Sequence, residues 1–208
     1  NLNGGTFSIA TADAFSLNGG TFNFNGGTIT NQALLVNSAL NLAATTAATF
    51  RIIGTTAFSG NVSAGQKLIL ESNTGSHTTL TSANGFTNAG MIQMVTTQNA
   101  GTVTAVDVGS GTLTNTGTLD IQGPTGGRVV TANLDNQGTV NVGWPTTFNK
   151  SGGTITNTGT FDVAASQTVN LPSQQFTQQA GTLSIGSAGS MPITAHSPAL
   201  VETSALSF

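Results

Sequence analysis

A phrase of nine or ten residues recurs along the chain, and it constrains the fold more than any other feature of the sequence. Its copies are FTNAGMIQM (86–94), LTNTGTLDI (113–121), LDNQGTVNV (134–142), ITNTGTFDV (155–163) and FTQQAGTLSI (176–185). An earlier copy, NGGTITNQALLVN (25–37), aligns with SGGTITNTGTFDV (151–163). Except for a longer first step, from 86 to 113, these five copies start about 21 residues apart, a period typical of solenoids in which each repeat stacks on its neighbour.

Within each copy, the residues after the glycine alternate between polar and apolar side chains, as in Thr118, Leu119, Asp120 and Ile121. This alternation predicts a half-buried β-strand, and the 37 threonines among 208 residues also favour strands. Such short strands can pair with their counterparts one period away. We therefore predict an all-β fold, a right-handed parallel β-helix (β-solenoid) with coils of about 21–22 residues. The hexapeptide repeats typical of left-handed solenoids are not visible.

The repeat also suggests how the chain is organised. We assign residues 1–185 to β-helix repeats, with an irregular coil or a loop insertion around 43–85, where the repeat register is lost. Residues 186–208 do not repeat, and we interpret them as a C-terminal cap or connecting segment. At about 4.8 Å per coil, we expect roughly nine or ten coils and a rod about 45 Å long.

Stacking of equivalent coils predicts which side chains lie above one another. Three apolar rows should point inward: Leu119, Val140, Phe161 and Leu183; Ile121, Val142, Val163 and Ile185; Leu113, Leu134, Ile155 and Phe176. Amide side chains recur at one point of the repeat, and stacked amides can hydrogen-bond along a parallel ladder. The predicted structural amide ladder consists of Asn31, Asn88, Asn115, Asn136, Asn157 and Gln178.

Charged residues make up only 5% of the chain, and the formal net charge is -3. Because no basic patch is available to neutralise phosphates, we expect no nucleic-acid partner. The apolar runs are too short to span a bilayer, so we expect no membrane insertion of this segment. The absence of cysteine excludes thiolate metal sites, and neither His77 nor His196 has a second ligand at metal-binding spacing. We expect no metal, no cofactor and no catalytic residue.

Two alternatives to a structural role rest on outward-facing residues. Asp120 and Asp162 occupy the same outward position two coils apart, and Trp144 lies in the turn after Val142. These three residues are candidate glycan contacts in a carbohydrate-binding or carbohydrate-active β-helix. A minor alternative is an ice-binding solenoid, because a row of outward threonines is predicted. The residues of this threonine row are Thr118, Thr139, Thr160 and Thr182. The outward row next to it consists of Asp or Asn rather than Thr, however, which does not fit a regular ice-binding array.

The phrases GTLTNTGTLDI, LDNQGTVNV and GGTITNTGTFDV resemble the β-strand repeats of bacterial surface proteins, namely autotransporter passenger domains and filamentous-haemagglutinin-like exoproteins. The resemblance covers about two thirds of the chain. It implies export by a Gram-negative bacterium, an extracellular or cell-surface location, and a role in adhesion, aggregation or the biofilm matrix. We therefore expect a non-enzymatic structural segment of an adhesin or matrix fibre. Its expected partners are copies of itself, end to end as filaments or side by side, further coils of the parent protein, or surface glycans.

Overall fold

A computed structural model describes residues 1–10, 15–97 and 101–191 of the chain. These residues form 21 β-strands and no helix. In chain order the strands are β1 (Leu2–Ser8), β2 (Phe15–Asn18), β3 (Thr21–Thr30), β4 (Gln32–Val36), β5 (Ala39–Leu42), β6 (Ala48–Ile53), β7 (Thr55–Gly60), β8 (Gln66–Ser72), β9 (Thr78–Ser82), β10 (Phe86–Asn88), β11 (Met91–Thr96), β12 (Val103–Asn115), β13 (Thr118–Ile121), β14 (Gly127–Asn136), β15 (Thr139–Val142), β16 (Thr146–Phe148), β17 (Gly153–Asn157), β18 (Thr160–Val163), β19 (Val169–Asn170), β20 (Gln174–Gln178) and β21 (Thr182–Ile185).

The strands belong to two sheets, and the pairing within both is parallel. The nine-stranded sheet has the order β2-β4-β6-β8-β11-β13-β15-β18-β21. The main path of the twelve-stranded sheet is β1-β3-β5-β7-β9-β12-β14-β16-β19. Neighbouring strands come from successive coils, so each coil adds a strand to each sheet. The all-β parallel solenoid predicted from the repeat is therefore confirmed.

The twelve-stranded sheet bends, and its far side forms a third face of the solenoid. In β12 the register shifts between Asp107 and Thr112, which marks the bend. Past this point, the parallel ladder runs through β10, β12, β14, β17 and β20. We call this ladder the amide face, and it comprises residues 86–88, 112–115, 133–136, 153–157 and 174–178.

The coils differ in length, as one inward column of the nine-stranded sheet shows. In register order this column is Phe15, Ala33, Phe50, Leu68, Ile92, Leu119, Val140, Phe161 and Leu183. The coils are shortest before Leu68 and longest between Leu68 and Leu119. The short and long coils offset one another, so the column covers residues 15–183 in eight steps with a mean of 21 residues. The described strands therefore make about eight turns, fewer than the nine or ten expected for the whole chain, because they span fewer than its 208 residues.

The segment 43–85, expected to hold an irregular coil or a loop insertion, contributes the strands β6 to β9 to the two sheets. The repeat is hard to see there because the coil that starts at Leu68 is much longer than the coil that ends at it. The solenoid thus continues through this segment with a change in coil length.

Apolar columns fill the space enclosed by the sheets. Leu119, Val140 and Phe161 are fully buried and stack in register, as the sequence predicts. The ring of Phe161 also packs against those of Phe148 and Phe176, with centroids 5.8 and 5.4 Å away. Burial of one such side chain contributes about 1.5–3 kcal/mol, so these columns are the main driving force for stacking.

The segment 186–208 falls partly outside the described residues, which end at Met191. The main-chain carbonyls of Ser187 and Ser190 accept hydrogen bonds from the N–H groups of Ser166 and Val169. Residues 186–191 thus add main-chain hydrogen bonds to the preceding coil.

Candidate functional site

The amide side chains of the repeat lie inside the solenoid on the amide face, where they hydrogen-bond to one another. Asn88 Nδ2 donates to Asn115 Oδ1 at 2.8 Å, and Asn115 Nδ2 donates to Asn136 Oδ1 at 2.8 Å. The series continues from Asn136 to Asn157 at 2.6 Å and from Asn157 to Gln178 at 2.9 Å. Asn115, Asn136 and Asn157 have no exposed surface. One amide ladder therefore runs through five coils, and all of its donors point towards the C-terminal end.

Each asparagine of this ladder also satisfies main-chain groups at a corner of the coil. The second N–H of Asn115 Nδ2 donates to the carbonyl of Thr139 at 2.9 Å, and that of Asn136 donates to Thr160 at 2.8 Å. The carbonyl of Asn115 accepts the N–H groups of Gln137 and Gly138 from the next coil. Buried main-chain polar groups must be paired, and the asparagine pairs those where the chain leaves the amide face for the nine-stranded sheet.

The same corner requires glycine because successive coils approach closely there. A Cβ atom on Gly138 would lie 2.3 Å from the carbonyl oxygen of Gly117, and one on Gly159 would lie 2.1 Å from that of Gly138. These contacts are with main chain, which cannot move aside as a flexible side chain could. The Asn-x-Gly part of the repeated phrase is thus one structural unit. Its asparagine hydrogen-bonds to the neighbouring coils, and its glycine allows the main chains of successive coils to approach closely.

The prediction that Asn31 belongs to the amide ladder is wrong. Asn31 is exposed, has a φ of 63°, and donates from Nδ2 to the carbonyl of Ile9. Its corner is shorter than the others: Ala33 enters the inward column two positions after Asn31, whereas Phe161 enters it four positions after Asn157. The tight turn uses Asn31 itself as its left-handed residue, so the amide points away from the core.

The ladder has a defined end on each side. At the first, Asn88 Oδ1 is buried without a hydrogen-bond partner, and the residue bridged to Asn88 in the preceding coil is Val62. At the other, Gln178 Nε2 donates to the carbonyl of Ala180 in its own coil, at 2.5 Å. The ladder therefore starts after the coil in which valine stands in place of the amide, and it ends where Gln178 donates to a main-chain carbonyl of its own coil.

The outer face of the nine-stranded sheet carries the predicted polar columns. Asp120, Asn141 and Asp162 are adjacent in register, so the two carboxylates are two ladder steps apart, about 9.6 Å. The Asp120 carboxylate accepts hydrogen bonds from Gln93 Nε2 at 2.9 Å and Gln122 Nε2 at 2.8 Å. The threonines predicted to form an outward row are also in register, and they are Thr118, Thr139, Thr160 and Thr182.

Trp144 lies at the corner after β15 and packs on the preceding coil. Its indole Nε1 donates to the carbonyl of Gly126 at 2.8 Å. A Cβ on Gly123 would lie 2.2 Å from Trp144 Cε3, so the ring lies directly over that glycine. One face of the indole is thus occupied by the 123–126 turn, which reduces the surface available for stacking on a sugar.

Of the two histidines, only His77 lies among the described residues, and it belongs to no metal-binding group there. His77 is exposed, and its Nδ1 accepts the N–H of Val103 at 2.9 Å, whereas His196 lies outside the described residues. Within residues 1–10, 15–97 and 101–191, no group of three or more His, Asp or Glu side chains could hold a metal ion.

A buried arginine is the main polar feature that the sequence analysis missed. Arg128 is 1% exposed, and burial lowers its pKa to about 10. It donates from Nε and Nη2 to the carbonyl of Gln122, and from Nη1 to Thr96 Oγ1 and the carbonyl of Gly127. Its position could have been inferred: Arg128 precedes the buried Val130 by two residues in β14, and side chains two residues apart in a strand point to the same side.

The ion pair between Arg51 and Glu71 was also missed. It is bidentate, with both N–O distances at 2.6 Å, and Thr97 Oγ1 donates to the same carboxylate at 3.0 Å. Burial of Glu71 opposes its ionisation, but the hydrogen bonds and charge of Arg51 outweigh this effect and lower the pKa of the carboxyl. The two residues belong to successive coils of unequal length, so the sequence offers no spacing that would identify them.

Comparison with protein-family models, curated proteins and solved structures gave no match to the chain. Among the described residues, no helix is long and apolar enough to cross a membrane.

Proposed function

We propose that the chain is a non-enzymatic structural segment of an extracellular bacterial adhesin or matrix fibre. The observation that carries this proposal is that the asparagines repeated in successive coils are buried and hydrogen-bond to one another. Asn115, Asn136 and Asn157 are fully buried and hydrogen-bond to one another, so these repeated amides hold successive coils together.

Two further features support a rod that presents uniform surfaces. The outward columns of the nine-stranded sheet in β13, β15 and β18 consist of threonine, asparagine and aspartate, which form a polar face with little charge. The resemblance of the repeated phrases to autotransporter passenger and filamentous-haemagglutinin-like repeats supports export and a cell-surface location. Adhesive stalks of this kind function by length and surface area, for which a regular solenoid is well suited.

Surface display tests this proposal. The full 208-residue chain is inserted into a passenger domain displayed by a Gram-negative host, with the empty passenger as control. A matched variant, Asn136→Ala with Gly138→Ala, disrupts the corner unit and serves as the stacking-defective control. We expect the native insert to be protease-resistant at the cell surface and to increase cell settling or adhesion to glass, and the variant to lose both properties.

If the native insert reaches the surface intact but adds no adhesion or aggregation, the scaffold proposal fails. A glycan array with added calcium, together with a reducing-sugar assay on polysaccharides, then tests the carbohydrate alternative. Binding that is lost in Asp162→Ala would favour that alternative.

A further inference from the structure

The sequence contains an N-glycosylation motif twice. Of the 20 asparagines, only Asn61 and Asn149 are followed two residues later by serine or threonine, in the triplets NVS (61–63) and NKS (149–151). The Asn-x-Ser/Thr triplet is the acceptor motif for N-linked glycans, and its use requires a surface position. The structure therefore decides which of the two motifs a transferase can reach.

The first motif is held in the stack of coils. Asn61 Oδ1 accepts the main-chain N–H of Thr87 from the next coil at 2.8 Å. Val62 is fully buried, and the N–H of Ser63 donates to Gln66 Oε1 at 2.8 Å. A transferase that surrounds the Asn61 amide would have to pull Val62 out of the core, which exposes an apolar side chain to water.

The second motif is exposed at a corner of the solenoid. Asn149 and Ser151 are exposed and lie between β16 and β17, outside the registered pairs of both strands. The side-chain amide of Asn149 makes no hydrogen bond to the described residues, whereas its main-chain N–H donates to the carbonyl of Val130 at 2.9 Å. An enzyme can therefore engage Asn149 Nδ2 without loss of a hydrogen bond between the described coils.

Lys150, between these two residues, fixes the corner. Its Nζ donates to the carbonyls of Val108 and Gly109 at 2.8 and 2.6 Å, two coils away. Its own carbonyl accepts the N–H of Gly153 at 2.9 Å, which closes a four-residue turn. The main chain of the motif is thus anchored to the coils, while the two side chains that the motif requires stay at the surface.

We propose that Asn149 accepts an N-linked glycan from a glycosyl diphosphate donor. In the transfer, Asn149 Nδ2 forms a bond to the anomeric carbon of the sugar, and the bond from that carbon to the diphosphate oxygen breaks. The electron pair of the broken bond leaves with the diphosphate, and one Nδ2 proton passes to a base of the transferase. The glycan projects from the corner beside the registered strands, so the coils stay stacked. This inference goes beyond the scaffold function, because it assigns an acceptor atom and the class of its donor substrate.

Glycosylation of the folded 208-residue chain in vitro tests the proposal. The purified chain is incubated in one arm with a soluble N-glycosyltransferase and UDP-glucose, and in the other with a membrane oligosaccharyltransferase and a lipid-linked oligosaccharide. Both enzymes are first shown to be active on a standard acceptor peptide, and the products are mapped by mass spectrometry. We expect Asn149 to be modified in at least one arm, with no change in the melting temperature, and the successful arm identifies the donor. Modification of Asn61 should be at least about tenfold lower, because it requires exposure of Val62.

Two variants complete the test. Ser151→Ala removes the hydroxyl of the motif but keeps the acceptor, and Asn149→Gln removes the acceptor amide; both should abolish the modification at this corner. An unmodified Asn149 in both arms, equal modification of Asn61 and Asn149, or modification that persists in Ser151→Ala would overturn the inference. Because the test uses the purified chain, its failure is distinguishable from failure of the scaffold function in surface display.

Discussion

Replacing Asn136 with alanine removes the central member of the amide ladder and should destabilise the solenoid strongly. The substitution deletes three hydrogen bonds: one accepted from Asn115 and two donated, to Asn157 Oδ1 and the Thr160 carbonyl. Each contributes about 1 kcal/mol net, and a buried acceptor left without its donor costs about 1–3 kcal/mol more. We expect a loss of about 3–5 kcal/mol in the free energy of unfolding, a large part of the roughly 5–15 kcal/mol typical of a folded domain.

Guanidinium-induced unfolding, followed by circular dichroism, measures this loss through the midpoint and slope of the transition. Asn141→Ala is the matched control, because Asn141 lies in the same coil but faces outward on the nine-stranded sheet. We expect it to change the stability by less than about 0.5 kcal/mol. Equal losses in the two variants would refute the argument that the buried amides hold the coils together.

The aspartate variant at the same position separates hydrogen bonding from packing. Asn136→Asp keeps the shape but places a carboxylate oxygen opposite Asn157 Oδ1 and the Thr160 carbonyl, which are both acceptors. Its carboxyl should therefore have a folded-state pKa above the unfolded value of about 3.9. The protonated carboxyl can donate one of the two hydrogen bonds that the amide donates, so the variant should recover part of the native stability below about pH 4 and lose it as the pH rises through the folded pKa. A stability that does not change with pH would contradict the argument that the donated hydrogen bonds of Asn136 hold the coils together.

Three further substitutions test other parts of the structure. Gly138→Ala should destabilise the chain by at least about 1–3 kcal/mol, since a close main-chain contact forces the coils apart, whereas Gly4→Ala, which meets no atom within 4 Å, should have little effect. Glu71→Gln should flatten the acid dependence of stability: the Arg51 ion pair stabilises the native chain above the usual carboxyl pKa of 4.5 and is lost as the pH falls through the lowered folded value. Equal acid sensitivity in both proteins would contradict this. Asn141→Asp should cost about 1 kcal/mol for each flanking aspartate at low salt, and about 1 M salt should restore most of it; salt-independent melting would contradict the stacking argument.

The regular coils of this solenoid are predictable from the sequence, and the irregular ones are not. Where successive coils have the same length, as between Leu119 and Phe161, the predicted columns match the observed register. The prediction for Asn31 failed because the same residues, TITN, stand before a shorter corner in this coil. The length of a coil is set by packing between coils, which the repeated residues do not reveal. Arg128 was missed for another reason: an inward arginine contradicts the expectation that buried charges are paired with charges, and it is stabilised here by carbonyls at a corner.

The low charge of the chain follows from the same stacking. In a parallel ladder each outward residue has equivalent neighbours about 4.8 Å above and below, where two like charges repel by about 1 kcal/mol in water and by more near a protein surface. In the register pairs of the described strands no charged residue faces another: Asp162, for instance, lies between Asn141 and Ser184. Threonine and asparagine can be repeated in every coil without this penalty. A chain of this composition therefore also meets little electrostatic repulsion when a further coil is added to the stack.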